Sequence, residues 1–160
     1  VTTGDGLDSN GNIAMTGGTV IINGPNSSPE VAFDYNGTFN ISGGLLIASG
    51  PNSGNMIQAT STNSSQYTVK ATTSQALSSS SMFNIQDASG NSLVTFKPTR
   101  NAYYFIFSSP DLKSGSSYKI YTGGSSTGTN NNGLYTGGTY SGGTLKKSFS
   151  ISNKVTSVSF

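Results

Sequence analysis

The first residues suited to chemistry are oxygen ligands near the start of the chain. They are Asp5, Asp8, Asn10, Asp34 and Asn36. Calcium prefers carboxylate and carbonyl oxygens, about six to eight in number. If copies of one unit stack, Asp8 meets Asp34, and two close carboxylates require either a proton or a cation between them. Asn and Asp side chains at turns also hydrogen-bond their own backbone. These residues are therefore compatible with two interpretations, a Ca²⁺ site or a ladder of such turns.

A second set of candidates consists of tyrosines whose rings could face a sugar. The candidate carbohydrate-binding residues are Tyr35, Tyr104, Tyr121, Tyr135 and Tyr140. Strand alternation over 102–107 turns Phe105 and Phe107 to a core and leaves Tyr104 on the other, exposed face. Ordinary packing is the alternative for each ring, because tyrosine also fills half-buried surfaces.

Composition excludes several classes of active site. The chain has no Cys and no His. Disulfides, Cys/His zinc sites and Ser-His-Asp chemistry are therefore excluded. No apolar run approaches the roughly 20 residues of a membrane-spanning helix. Only 9% of residues are charged, and they are unevenly placed: the first 56 residues carry acids alone, whereas the rest carries eight bases and two acids, a surplus of 8 − 2 = +6.

The elements that would position these residues follow from an internal repeat. The blocks starting at Asp8, Ile13 and Gly24 return at Asp34, Phe39 and Gly50, always 26 residues later. Each unit holds three short strand-like stretches separated by Asn-Gly, Gly-Gly and Gly-Pro-Asn turns. A fixed period of this length indicates a solenoid. We therefore predict an all-β fold in which 1–56 forms right-handed parallel β-helix coils.

The remainder, 57–160, loses the repeat and is predicted to form a β-rich capping domain or irregular cap. A polar junction over 57–65 comes first. Strands are predicted at 66–72, 82–86, 92–97, 102–107, 117–121, 148–152 and 155–160. The Gly- and Ser-rich stretch 121–144 is predicted as a long surface loop that is either tacked down by its tyrosines or presents them to a ligand.

The order of several motifs resembles a family of secreted clostridial carbohydrate-binding proteins. The motifs are Gly4-Asp5-Gly6-Leu7-Asp8-Ser9-Asn10-Gly11, Thr16-Gly17-Gly18-Thr19-Val20, Asn23-Gly24-Pro25, Phe107-Ser108-Ser109-Pro110-Asp111-Leu112-Lys113 and Ile120-Tyr121-Thr122-Gly123-Gly124. The resemblance implies a parallel β-helix similar to calcium-dependent polysaccharide lyases, a calcium ion, and binding of cellulose and acidic plant sugars. It also implies a bacterial protein that is secreted or on the cell surface.

The sequence is compatible with two functions from different classes. The first is an extracellular, calcium-stabilised carbohydrate-binding module for plant cell-wall or acidic polysaccharides. The alternative is a structural subunit of an adhesin or fibre that assembles through exposed β-edges, either with itself or with an upstream part of the same precursor. Lyase activity is not expected, because the repeat carries no Lys or Arg to serve as a base. Nucleic acid is not expected as a partner, because no recognition motif is present.

Overall fold

In the computed structural model all 160 residues are described, and the chain is built from strands. The first six are β1 Leu7–Ser9, β2 Ile13–Met15, β3 Thr19–Asn23, β4 Phe33–Tyr35, β5 Phe39–Ile41 and β6 Leu45–Gly50. After a 3₁₀ turn, Gly54–Met56, come β7 Thr68–Leu77, β8 Phe83–Asp87, β9 Ser92–Phe96, β10 Ala102–Ser108, β11 Ser117–Ser126, β12 Thr129–Asn131, β13 Leu134–Thr136, β14 Tyr140–Ser150 and β15 Val155–Ser159. No helix has the length and apolarity needed to cross a bilayer.

The two repeat units lie directly against each other. Strands β1, β2 and β3 pair in parallel with β4, β5 and β6, and every paired residue is 26 positions from its partner. Ile13 lies opposite Phe39, and Asp8 lies opposite Asp34. The register expected from the repeat is therefore confirmed.

The predicted right-handed parallel β-helix is nevertheless wrong. Parallel pairing is confined to the three short pairs of the repeat and to β7 with β15, and all other pairs are antiparallel. The physical reason lies at β6, whose second edge pairs with the antiparallel strand β10. Because that edge is occupied, no third coil can stack on β6. The fold is all-β, with open mixed and antiparallel sheets instead of a solenoid.

A central five-stranded sheet, in the order β15-β7-β10-β6-β3, joins the repeat to the later strands. Its middle strand, β10, is covered on both faces, as the continuous burial of Phe105, Ile106 and Phe107 shows. Phe105 and Phe107 belong to the core shared with the six-stranded sheet. Ile106 belongs to the core shared with β2, β4 and β5. The central sheet is thus the middle of three layers.

The contact between Tyr104 and Gly50 fixes one junction of these layers. The Tyr104 hydroxyl accepts a hydrogen bond from the Ala32 backbone N–H at 2.7 Å. Tyr104 is only 1% exposed, so the prediction that it lies on an exposed face is wrong. Alternation separated the two faces of β10 correctly, but both faces are buried. A Cβ on Gly50 would collide with the Tyr104 ring, and only glycine leaves that space.

Residues of the polar junction cover the free edges of the second repeat unit. Gln58 Oε1 accepts from the Tyr35 N–H at 3.0 Å, Ser61 Oγ from the Phe39 N–H at 2.9 Å, and Ser64 Oγ from the Ile41 N–H at 3.0 Å. These side chains replace the strand that a further coil would supply. The second unit is therefore capped, whereas β1, β2 and β3 each pair along one edge only.

The outer layer is an antiparallel sheet in the order β12-β13-β9-β8-β11-β14. The expected surface loop at 121–144 is wrong, because this stretch forms the end of β11, all of β12 and β13, and the start of β14. Strand β12 begins at Thr129, three residues after β11 ends at Ser126, yet lies four strands from it in the sheet order. Three residues span at most about 11 Å, whereas four strand spacings in a flat sheet measure about 19 Å. The sheet must therefore curl.

Candidate functional site

A cleft opens on the curled sheet, and we call it the tyrosine cleft. Its volume is about 450 Å³. Its lining residues are Leu45, Gly90, Asn91, Ser92, Leu93, Val94, Thr95, Ser126, Leu134, Tyr135, Thr136, Gly137, Gly138, Thr139 and Tyr140. None of them carries a charge. The cleft therefore combines two aromatic rings, a few apolar side chains and many short hydrogen-bonding groups.

The two tyrosines come from different parts of the sheet. Tyr135 lies on β13 opposite Thr95 of β9, and Tyr140 begins β14 opposite Ser126 of β11. The Tyr140 hydroxyl donates to the Gly123 carbonyl at 2.9 Å. Burial, followed by the nearby Tyr121, raises the pKa of Tyr140 above its ordinary value. The ring is therefore held in place as a neutral phenol.

A Gly-rich turn brings the two tyrosines together. The Thr127 N–H donates to the Thr139 carbonyl at 3.1 Å, and the Thr139 N–H donates to Thr127 Oγ1 at 3.0 Å. Gly138 has a φ of +66°. A Cβ there would also collide with the backbone of Gly128, so the closure requires glycine for two reasons.

The loop after β8 forms another wall, and Asp87 organises it. Asp87 Oδ1 accepts from the backbone N–H groups of Ser89 at 2.8 Å and Asn91 at 2.9 Å, while Oδ2 accepts from Asn91 Nδ2 at 2.8 Å. Hydrogen bonds from the Asn91 side chain and then its backbone lower the pKa of Asp87. The ionised carboxylate thus fixes the edge of the cleft formed by Gly90 and Asn91.

Asn84 lies behind the cleft and is fully buried. It sits on β8 between Phe83 and Ile85, which face the core, so its side chain lies on the opposite face of the sheet. Its Nδ2 atom donates to Ser92 Oγ at 2.9 Å and to Thr95 Oγ1 at 2.8 Å, and both of these residues line the cleft. Asn84 therefore holds two hydroxyl groups of the cleft wall in place.

Comparisons with known proteins do not assign a function to this cleft. The chain matches no family model, no curated protein and no solved structure. The resemblance to clostridial carbohydrate-binding proteins accordingly stays a prediction that rests on the sequence motifs.

The structure separates the five predicted sugar-binding tyrosines. Tyr135 and Tyr140 line the cleft, and Tyr121 lies on β11 beside them without lining it. Tyr35 lies in the repeat, where its hydroxyl donates to the Ala59 carbonyl at 2.6 Å. Tyr104 is in the core. The sequence therefore identified two of the cleft residues, while the other three lie outside the lining.

The predicted calcium ligands meet as a pair and not as a larger cluster. Asp8 and Asp34 are direct neighbours across the parallel strands. Asp5 Oδ1 instead accepts from the Val31 N–H at 2.6 Å. Asn10 and Asn36 are exposed, and no group of three or more His, Cys, Asp or Glu side chains converges. Asp8 and Asp34 are the residues that fit a hard cation best, and calcium there stays a prediction.

Sequence reasoning missed the polar side chains that build the cleft. Asn84, Ser92 and Thr95 lie in the predicted strands 82–86 and 92–97, which assign them no further role. One signal was present: Asn84 is a lone amide inside the apolar run from Met82 to Ile85. A buried polar group needs partners, so such a residue indicates a polar network on its face of the sheet.

Proposed function

We propose that this chain is an extracellular, non-catalytic carbohydrate-binding module whose glycan site is the tyrosine cleft. The observation that supports this proposal is the lining: two half-buried tyrosines and several hydroxyl and amide groups around about 450 Å³, with no charge. Ligand sites commonly combine aromatic or apolar walls with a few placed polar groups. Sugar rings have the matching chemistry, because they present apolar C–H faces and a rim of hydroxyl groups.

The uncharged lining favours a neutral glycan segment in this cleft. A carboxylate that entered would lose hydration without meeting a cation, and burying an unpaired charge is costly. Neutral cell-wall polysaccharides are therefore the first ligands to test. The basic surplus of 57–160 leaves acidic polysaccharides as the second arm of the same experiment.

The absence of catalysis follows in this proposal from the side chains of the lining. None of the 15 is a carboxylate, imidazole or amine. Glycosidases require a pair of carboxyl groups beside the scissile bond. Lyases would likewise need a base, and the phenols of Tyr135 and Tyr140 are the only titratable side chains of the lining. Binding without bond cleavage is the activity that these residues support.

Calorimetry with oligosaccharides of defined charge tests the proposal. The panel contains cello-, xylo- and chitin oligosaccharides together with oligogalacturonate. We expect a neutral member to bind and Tyr135→Ala to weaken it about 2- to 10-fold, the range of an aromatic contact. Tyr67→Ala is the matched control, because Tyr67 lies outside the cleft, under the Lys154 ammonium. Failure of every glycan to bind, or equal binding by Tyr135→Ala, overturns the proposal.

A role as a structural subunit is the second candidate function, because the outer strand edges of the first repeat unit have no pairing strand. The outer strands β2 and β3 carry no charged residue and pair along one edge only. Ile13 and Val20 on these strands are only partly buried. The other long edge, β14, carries Lys146 and Lys147, which hinder strand addition. A second copy of the chain, adding its own β1 to β3, is the occupant that this candidate requires.

Light scattering after size-exclusion chromatography tests this second candidate. We expect the mass to rise with protein concentration, and Ala14→Lys on β2 to suppress the rise by placing a charge on the edge. Ser148→Lys on β14 is the matched control and should leave the assembly unchanged. A single monomer mass at all concentrations would rule the candidate out.

A further inference from the structure

The orientation of the Asn84 amide can be assigned from its neighbours. Its Nδ2 atom lies 2.9 Å from the Val94 carbonyl oxygen. A carbonyl oxygen only accepts hydrogen bonds, so the NH₂ group and not the oxygen must face it. The same NH₂ group faces Ser92 Oγ and Thr95 Oγ1. The NH₂ group has two hydrogens for these three acceptors, so at least one hydrogen is shared, and the amide nitrogen cannot accept from either hydroxyl group.

This orientation determines what Ser92 and Thr95 offer to the cleft. A hydroxyl group has one hydrogen to donate and lone pairs to accept with. Both oxygens accept from Asn84, so neither hydroxyl can direct its own hydrogen at the Asn84 nitrogen. Two hydroxyl donors therefore remain for a ligand. The wall offers these two donors to a ligand atom that accepts.

Apolar side chains stand beside these donors. They are Leu45 and Leu93, which line the same cleft and are only partly buried. Val94 and Leu134 alternate with Thr95 and Tyr135 along β9 and β13, so the side chains of Val94 and Leu134 face the core on the other side of the sheet. A ligand group that fits both must carry an acceptor oxygen next to a small apolar group.

We infer that the tyrosine cleft selects sugars with an N-acetylated amino group, such as 2-acetamido hexoses. This inference rests on the proposed function and names its ligand class. The acetamido carbonyl oxygen would accept from Ser92 and Thr95, the methyl group would contact the leucines, and the sugar ring would lie on Tyr135. Asn84 is a positioning residue, because it touches the two hydroxyl groups and acts on the sugar through them.

The test compares glycans that differ at one substituent. Chitin, cello- and fully deacetylated chitin oligosaccharides of equal length carry an acetamido group, a hydroxyl group and an ammonium group at the same carbon. We expect the acetylated chain to bind at least about 20-fold more tightly than either of the others, the lower end of the effect of two hydrogen bonds and one buried methyl group. Equal binding of the acetylated and cello- chains overturns this inference and leaves the proposed function standing.

Variants then assign the selectivity to the hydroxyl pair. Ser92→Ala and Thr95→Val should each reduce the preference for the acetylated chain over the cello- chain by about 2- to 10-fold, the effect of one lost hydrogen bond. Thr99→Val is the matched control, because Thr99 is exposed and lies outside the cleft lining. Thermal melting checks that each variant folds. An undiminished preference in both hydroxyl variants contradicts the assignment, whereas failure of these three chains and of the xylo- and galacturonate chains to bind rejects the proposed function itself.

Discussion

The two 26-residue units share one register but have different surroundings. The second unit lies between the first unit, the polar junction and β10, and Phe33, Phe39, Ile41 and Leu46 are at most 1% exposed. In the first unit the corresponding positions, Leu7, Ile13, Met15 and Val20, are buried only at Met15. Similar sequences therefore differ in stability because burial depends on neighbours, and a repeat unit cannot bury its own apolar face.

The prediction with the largest expected effect compares two equivalent isoleucines, one in each unit. Ile21 and Ile47 lie opposite each other in β3 and β6, but Ile47 is fully buried and Ile21 is not. We expect Ile47→Ala to lower the free energy of unfolding by about 2–5 kcal/mol. Ile21→Ala should cost about half as much, because part of its side chain already meets water. Urea unfolding measures both, and equal losses would show that the first unit is covered in solution.

The second prediction concerns the hydroxyl group that joins the second unit to the central sheet. Tyr104→Phe removes the acceptor of the buried Ala32 N–H while keeping the ring beside Gly50. An unpaired buried donor costs about 1–3 kcal/mol. Tyr35→Phe is the comparison, because its hydroxyl bond to the Ala59 carbonyl is only partly buried and should contribute less. If Tyr35→Phe lowers the free energy of unfolding more than Tyr104→Phe does, the Tyr104 hydroxyl is not the stronger of the two contacts.

The same hydroxyl group predicts a loss of stability in alkali. Burial, the largest cause, raises the pKa of Tyr104 from 10.0 to about 12. Because the folded pKa exceeds the unfolded one, the contribution is complete below pH 10 and is lost as pH rises towards 12. A difference of about two units corresponds to a loss of up to about 3 kcal/mol. Unfolding of the wild type should therefore approach that of Tyr104→Phe over this range, and a constant gap would contradict the assignment.

The sequence predicted the pairing between the two repeat units, but it did not predict the contacts that the second unit makes with later strands. The register of the repeat was predictable, because Asn-Gly, Gly-Gly and Gly-Pro turns fix where each short strand begins. Its termination was not, because the pairing of β6 with β10 depends on residues more than 50 positions apart in the chain. Stretch 121–144 was misread because glycine and serine have low strand propensity, which cross-strand pairing overrides here. Tyr135 and Tyr140 were predicted, but Asn84 acts only through tertiary neighbours.

A smaller test concerns the cap on the second unit. Ser64→Ala leaves the buried Ile41 N–H without its hydrogen-bond acceptor. We expect a loss of about 1–2 kcal/mol in urea unfolding, because the cost of an unpaired amide is partly relieved by rearrangement of a short loop. Ser65→Ala, one residue further along and exposed, is the control and should change little. If the two variants melt together, the polar junction does not cap the strand edge.

The smallest expected effect is that of calcium on the facing acids of the two units. Asp8 and Asp34 are paired residue to residue, so a cation between them would link the first unit to the second. Calcium at about ten times its dissociation constant should add about 1.4 kcal/mol, or roughly 3–5 °C in Tm for a chain of this size. Asp34→Asn should abolish the response and, in a chelator, melt slightly higher than the wild type because repulsion is removed. Glu30→Gln, which changes an acid outside the pair, should keep the rise in Tm with calcium. If calcium does not raise the Tm of the wild type, the pair is an ordinary turn contact without an ion.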